Sequence, residues 1–418
     1  MREQYAFIVG VGLALLAGCG GSDSGSSNAP QNSISKVELG KQLFNDVSLS
    51  ANRTQSCASC HNPQHGFIDN RLGEDGQVLA ASIGDDGVSV GDRNAPTAAY
   101  AQFSPEFVAG SRQRFNTDGD FALYEGHLGG QFHDGRAVDL AAQAGGPPLN
   151  PLEMNMASKA TVVARLLEND DYQRAFREHF GADIWDDAEA AYEAMTQAIG
   201  EFENSAEFAP FDSRYDRSLL PVGDEARYTY HPASKAALGK ALFFSTEFTN
   251  CAACHQLQAQ GHQQEVFSGF EYHNLGVPEN LSLRAINGVT TVDTGLQQHI
   301  DDASLAGKFK TPTLRNVAVT APYMHNGVFN ELSTVLMFYE HMRQRSNGRD
   351  SGFVNPESGV AWRAPEVEQN ISTTELASGS KDFSDATNRE AMECFLMSLT
   401  DARYEHLLDA AKVSDCGL

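Results

Sequence analysis

A pentapeptide that occurs twice, Cys57-Ala58-Ser59-Cys60-His61 and Cys251-Ala252-Ala253-Cys254-His255, constrains this chain more than any other feature. Two thiols three positions apart on one helical turn can form thioethers to the two vinyl groups of a haem, and the adjacent histidine can then reach the iron. A redox dithiol or half of a zinc site would also use Cys-x-x-Cys. A four-thiolate zinc site would have to join the two distant pairs, and it has no use for a histidine trailing each pair at the same spacing. The duplication therefore selects two covalently bound c-type haems, on Cys57, Cys60 and His61 and on Cys251, Cys254 and His255.

Each pentapeptide is preceded by a second shared motif, Leu39-Gly40-Lys41-Gln42-Leu43-Phe44 and Leu238-Gly239-Lys240-Ala241-Leu242-Phe243, which reads as a short amphipathic helix. An internal repeat of this kind predicts two similar haem-binding domains in tandem. At 418 residues the chain also exceeds what one core usually serves. The boundaries fall at residues 36–230 and 231–418. Ser158 to Gly181 carries Val162, Val163, Leu166, Leu167, Phe176 and Phe180 at helical spacing. Asp187 to Phe202 places Ala191, Met195, Ile199 and Phe202 on one face, and Thr387-Asn388-Arg389-Glu390 reads as a capping box opening a helix through Leu399. With no strand-alternating segment of useful length, the expected fold is mainly α with long loops.

Residues 1–18 have the form of an export signal: Arg2, an apolar run from Ala6 to Ala17, and small residues before Cys19. That run is shorter than the roughly 20 residues a membrane-spanning helix needs. Leu16-Ala17-Gly18-Cys19 resembles a bacterial lipobox, which implies a lipoprotein signal peptide, lipidation of Cys19 and a periplasmic protein anchored by lipid to the membrane. Gly20 follows rather than Asp, which directs the expectation to the outer membrane. Residues 19–35 read as a flexible tether, being Gly, Ser, Asn and Pro with almost nothing to bury.

The formal net charge is −25, and haem propionates add to it. Nucleic acid is excluded as a partner, because binding it requires clustered Lys and Arg. A basic donor or basic protein substrate would be steered favourably. Covalent haem points outside the cytoplasm, where Cys394 and Cys416, the uncommitted late pair, could bridge. The sequence leaves that bridge open; a short closed loop of this kind is worth on the order of 3 kcal/mol.

Further motifs give the chain a family likeness. They are Gly91-Asp92-Arg93-Asn94-Ala95-Pro96-Thr97, Asp134-Gly135-Arg136-Ala137, Tyr272-His273-Asn274-Leu275-Gly276, Phe309-Lys310-Thr311-Pro312-Thr313-Leu314-Arg315-Asn316-Val317 and Thr320-Ala321-Pro322-Tyr323-Met324-His325-Asn326-Gly327. Together with the haem motifs they resemble the bacterial di-haem cytochrome c peroxidase family, which includes MauG-type enzymes that oxidise residues of partner proteins. The resemblance implies two cytochrome c-like domains whose haem sites face a shared interface. It makes His61 and His255 the proximal ligands and places Gln143 and Glu153 on the peroxide side of the first haem. It also implies one calcium ion held by Asn94, Thr320 and Pro322, hard oxygen donors of the kind calcium prefers.

Two departures from that pattern shape the functional expectation. The neighbourhood of a distal histidine in the classical peroxidases is here Ile83-Gly84-Asp85-Asp86-Gly87-Val88, without His, so the first haem is expected to be open to peroxide as made. The aromatic position before Asp134, usually Trp, is His133, which puts the family's hopping route between haems in doubt; Phe132, Trp185 and Trp362 are not placed by the sequence. The resemblance also implies the sixth ligand of the second iron, a Met fourteen residues after the His of Pro-Tyr-x-His in the classical peroxidases and a Tyr in MauG-type enzymes: fourteen residues after His325 stands Tyr339, with Met337 as competitor if two residues are missing. The expected function is that of an exported enzyme which reacts with hydrogen peroxide to form high-valent haem and oxidises a partner protein at a distance. The alternatives are a cytochrome c peroxidase fed by a small cytochrome or cupredoxin, and a non-catalytic di-haem electron carrier.

Overall fold

Ser35 and Ser234 begin equivalent helices: each side-chain oxygen accepts a backbone N–H three residues on, from Glu38 and Ala237, at 3.1 Å. The computed structural model describes residues 34–73, 76–115, 122–379 and 382–418; the expected leader, Cys19 and all but the end of the tether lie outside them. In the first half, α1 (Lys36–Phe44) leads to the one-turn α2 (Cys57–Cys60), the hairpin β1 (Val108–Gln113) and β2 (Leu123–Leu128), and then α3 (Leu140–Ala144), α4 (Lys159–Leu166), α5 (Asp170–Phe180) and α6 (Ala188–Glu203). In the second half, α7 (Arg214–Ser218) and α8 (Lys235–Phe243) lead to the one-turn α9 (Cys251–Cys254), followed by β3 (Tyr272–His273), α10 (Leu281–Asn287) and β4 (Phe309–Lys310). The chain closes with α11 (Leu332–Ser346), α12 (Thr373–Ala377), α13 (Ala386–Met397) and α14 (Ala410–Cys416).

The repeat seen in the sequence becomes a repeated packing. Helix α1 lies against α6 and α8 against α13. Leu39, Leu43 and Phe44 pack with Met195, Ile199 and Phe202 in one core. Leu242 and Phe243 pack with Met392, Phe395 and Leu396 in another. Each fully buried aromatic of this kind contributes roughly 1.5–3 kcal/mol. Residues 34–418 form one compact unit that holds both cores.

Three local expectations are corrected. The segment from Ser158 is two helices, because after Leu166 the side chain of Asn169 caps a new one, accepting from Asp171 N at 2.9 Å. Helix α13 is capped by Asp385, which accepts from Thr387 N at 2.7 Å, and not by Thr387 itself. The protein also carries strands. β1 and β2 pair antiparallel from Val108↔Leu128 to Gln113↔Leu123, and β3 pairs with β4. The hairpin escaped the periodicity test because nearly every β1 side chain is exposed, leaving no apolar alternation to see.

Cys394 and Cys416 form a disulfide that ties α14 to α13 across a sequence separation of 22. Among the described residues no helix is long and apolar enough to cross a membrane.

Candidate functional site

Phe67 and Phe267 both take the left-handed conformation, φ 54° and 56°. That twist turns the carbonyl of each toward a proximal histidine: His61 Nδ1 lies 3.2 Å from Phe67 O and His255 Nδ1 lies 3.1 Å from Phe267 O. A ring nitrogen facing a carbonyl must carry the proton, so each Nε2 keeps its lone pair for a metal. Burial supports the neutral ring, pushing His61 below its ordinary value and His255 down to about 4. A second strut is also duplicated. Thr97 Oγ1 donates to Gly66 O and Thr313 Oγ1 to Val266 O, both at 2.6 Å, so each hydroxyl fixes the residue just before the turning Phe.

Around the second attachment site is a cavity of about 330 Å³ lined by Cys251, Cys254, His255, Leu336, Tyr339 and Leu396, among others. Its wall is apolar and its donors are two cysteine sulfurs, one neutral imidazole and one phenol, a set that fits a c-type haem. Tyr339 projects from α11 into this cavity, and burial pushes its phenol above the usual tyrosine range. Met337 does not border the cavity; its sulfur lies 3.4 Å from Arg389 Nη1.

At the first attachment site the carboxyl of Glu153 is close enough for its charge to raise the thiols of both Cys57 and Cys60. Burial raises Glu153 itself, Arg136 opposing, while Asn150 Nδ2 donates to its Oε1 at 2.9 Å. The Arg136 guanidinium lies 3.5 Å over the Phe132 ring and donates to Asp134 Oδ1 at 3.0 Å. Gln143 sits half-buried on α3, whose start is fixed by Asp139 accepting from Ala142 N at 2.8 Å. The turn that carries no distal histidine is closed on itself. Asp85 Oδ2 accepts from Asn52 N at 2.7 Å, its backbone N–H donates to Glu153 O at 2.7 Å, and Gln55 Nε2 donates to Ile83 O at 2.6 Å.

Asn94, Thr320 and Pro322, expected to hold calcium, border the same cavity as the second attachment site, as do Phe132 and His133. Asn94 donates its backbone N–H to His325 O at 2.8 Å and its Nδ2 to Ala80 O at 3.3 Å. His133 Nε2 donates to Asn94 O at 2.9 Å, and burial brings that imidazole down to about 4. His325 stacks on Phe309 at 3.6 Å. Arg93 closes this region by pairing with Asp134 at 2.5 Å and Asp293 at 2.7 Å. Trp185 stacks on Phe176 in the first core, Trp362 packs with Phe329 and His341, and neither borders the cavity.

Sequence reasoning missed the clamp on the second site. Arg112, from the hairpin, donates to Ala253 O and Gln256 O at 2.9 Å and to Glu271 Oε1 at 2.8 Å, while Arg114 reaches Glu271 Oε2 at 2.7 Å. It also missed the kinship of Pro96-Thr97 and Pro312-Thr313, whose shared dipeptide was the available signal. Cys254, Glu271 and His273 offer ligand atoms within 4.8 Å of one another, the one such metal-like group among the described residues. Thioether formation at Cys254 removes that sulfur from a zinc site.

Residues 34–222 match the profile of di-haem cytochrome c peroxidases. The methylamine utilization protein MauG of Paracoccus denitrificans is 43% identical over 381 residues, covering 90% of this chain and 91% of that protein. The cytochrome c peroxidase Ccp of Escherichia coli is 33% identical over 292 residues, covering 70% of this chain and 50% of that protein. The crystal structure of the diheme peroxidase BthA from Burkholderia thailandensis superposes with a TM-score of 0.68 at 29% identity, covering 90% of this chain and 88% of that one.

Proposed function

The chain belongs to the di-haem cytochrome c peroxidase family and is a peroxide-using haem oxidoreductase, and from that premise we propose that it spends the oxidising power of hydrogen peroxide on a residue of a partner protein. The observation that carries the reading is the placement of Tyr339 in the cavity with Cys251, Cys254 and His255, while Met337 turns away to Arg389. When bound, the haems supply iron that peroxide can oxidise and a porphyrin over which the charge spreads. An anionic oxygen ligand favours the oxidised states of iron, whereas a thioether favours the ferrous state of an electron store.

At the first site, Glu153 Oε2 is the atom for proton work, since Oε1 accepts from Asn150. Lifted by burial, that carboxyl can take the proton from one peroxide oxygen and return it to the other, which leaves as water. Arg136, held by Asp134 and stacked on Phe132, keeps a fixed positive charge beside it. Gln143 offers an amide to orient peroxide. The closed turn around Asp85 carries no side chain that would have to be displaced first. Asn94, Thr320 and Pro322 offer oxygens for a calcium ion that would hold the loops about the second cavity. Export, a lipid anchor at Cys19 and two haem domains meeting near residue 230 complete the proposal.

The test is stopped-flow mixing of peroxide with the fully ferric protein. Both haem spectra should change at once, without prior reduction. A requirement for half-reduction would return the protein to peroxide reduction fed by a small redox protein, a reading that the 33% identity to the Escherichia coli peroxidase keeps as the alternative. No reaction in either state would leave an electron carrier.

A further inference from the structure

Because the two pockets share one frame, residues at matching places can be compared. Gly40 packs on Ala198 and Phe202 of α6, and Gly239 packs on Ala391 and Phe395 of α13. The residue after Phe395 is Leu396, which lines the second cavity. The residue after Phe202 is Glu203. It is 5% exposed, and its Oε2 has no hydrogen-bond partner. Among charged groups it is the one that raises Cys57 most.

An ionised carboxylate in such a place is expensive, and burial alone lifts Glu203 to about 8. Leucine fills the same position in the other pocket without that cost. A buried acid in one pocket and a leucine in the other therefore mark a difference in what the two pockets do. We propose that Glu203 is a redox-linked proton site of the first haem pocket: its carboxyl would gain a proton from solvent when a one-electron donor, a small redox protein or an electrode mediator, reduces the iron that His61 would hold, and would give the proton up when an oxidant takes that electron away. One electron and one proton enter together, an O–H bond forms on the Glu203 carboxyl, and no other bond changes.

The coupling is Coulombic. An added electron makes the pocket more negative, and in a buried site little solvent or salt screens that change from the acid. Glu153 is the second buried acid whose charge reaches Cys57 and Cys60, and it too is raised by burial, so it is held constant in the test. On α5, Arg174 pairs with Asp171 and His179 Nε2 donates to Ile34 O. Lys41 of α1 pairs with Glu207 at 2.7 Å, Lys36 lies 4.7 Å over the Phe180 ring, and Glu38 accepts from Gln42 at 3.2 Å. Helix α3 carries no titratable residue, Lys159 of α4 pairs with Glu189, and Arg165 donates to Ala51 O. Cys57 and Cys60 are consumed by attachment.

The inference needs a haem at the first site but neither the peroxide chemistry nor a partner protein, so it can fail separately from the proposed function. The experiment is spectroelectrochemical titration of the holoprotein from neutral to alkaline pH, with redox-induced infrared difference spectra. The first haem's potential should fall as pH rises through the titration of Glu203. Measured in a Glu153→Gln background, where that second acid no longer titrates, Glu203→Gln and Glu203→Leu should abolish the dependence and leave the second haem unchanged. The infrared spectrum of the unaltered protein should gain a protonated-carboxyl band on reduction. A pH dependence that persists in both variants overturns the proposal. So does the absence of that band in the unaltered protein, which decides the matter alone if the variants fail to take up haem.

Discussion

A methyl group on Gly40 would sit 1.9 Å from the carbonyl oxygen of Ala198, so α1 and α6 touch backbone to backbone. Gly239 stands in the same relation to Ala391 O, at 1.8 Å. The obstacle in each case is main chain, which cannot swing aside as a side chain can. Gly40→Ala should therefore destabilise the first core by about 3 kcal/mol, the upper part of the usual overpacking range. Chemical denaturation followed by circular dichroism would measure it; a cost near zero would mean the helices part easily.

That contact shows how unevenly the structure could be read from the residues. The haem motifs are legible because covalent attachment demands fixed spacing, and Leu-Gly-Lys-x-Leu-Phe is legible because it recurs. The reason for its glycine is not, since nothing in α1 names the carbonyl it meets on α6. Phe67 and Phe267 were invisible for another reason: a left-handed φ at phenylalanine comes from tertiary packing, not from local preference. The β1–β2 hairpin was missed because ion pairs from Arg112 and Arg114 to Glu271 hold it, rather than an apolar face. The disulfide needed the geometry that sets Cys416 beside α13. Glu153 and Tyr339 were reached through motif counting alone, and the residues around them gave no independent signal.

Because α2 and α9 belong to separate cores, loss of one thioether should be local. Cys60→Ser and Cys254→Ser should each lose covalent attachment at one haem only. Intact-protein mass spectrometry and the haem stain of a denaturing gel would both read this. Two retained haems in either variant would contradict the attachment.

Glu153 gives a rate with a defined pH sense. Its carboxyl is held above the ordinary range by burial, so the deprotonated form that accepts a proton appears only at higher pH. The reaction with peroxide should rise with pH and level off above that raised value. Glu153→Gln should keep both haem spectra, lose this rise, and react about 10²- to 10⁴-fold more slowly. A wild-type rate in the variant would reduce Glu153 to a structural acid held by Asn150.

The sharpest prediction concerns α11, where two candidate donors lie two residues apart and point apart. Val335, Leu336 and Tyr339 share the face that borders the second cavity, whereas Met337 is turned about 200° from Val335 on a helix of 3.6 residues per turn. Arg389 meets its sulfur there at 3.4 Å. A rotation of α11 large enough to exchange the two would drag buried Phe338 and Met342 out of their packing with Phe329 and Leu376. Tyr339→Phe should therefore convert the second ferric haem from six-coordinate low spin to high spin, because phenylalanine fills the space but has no oxygen to donate. Met337→Leu should leave the spin state unchanged. Electron paramagnetic resonance of the two ferric variants separates the outcomes. The reverse pattern would move the ligand to Met337 and, by the preference of a thioether for ferrous iron, return the protein to the electron-storing peroxidases.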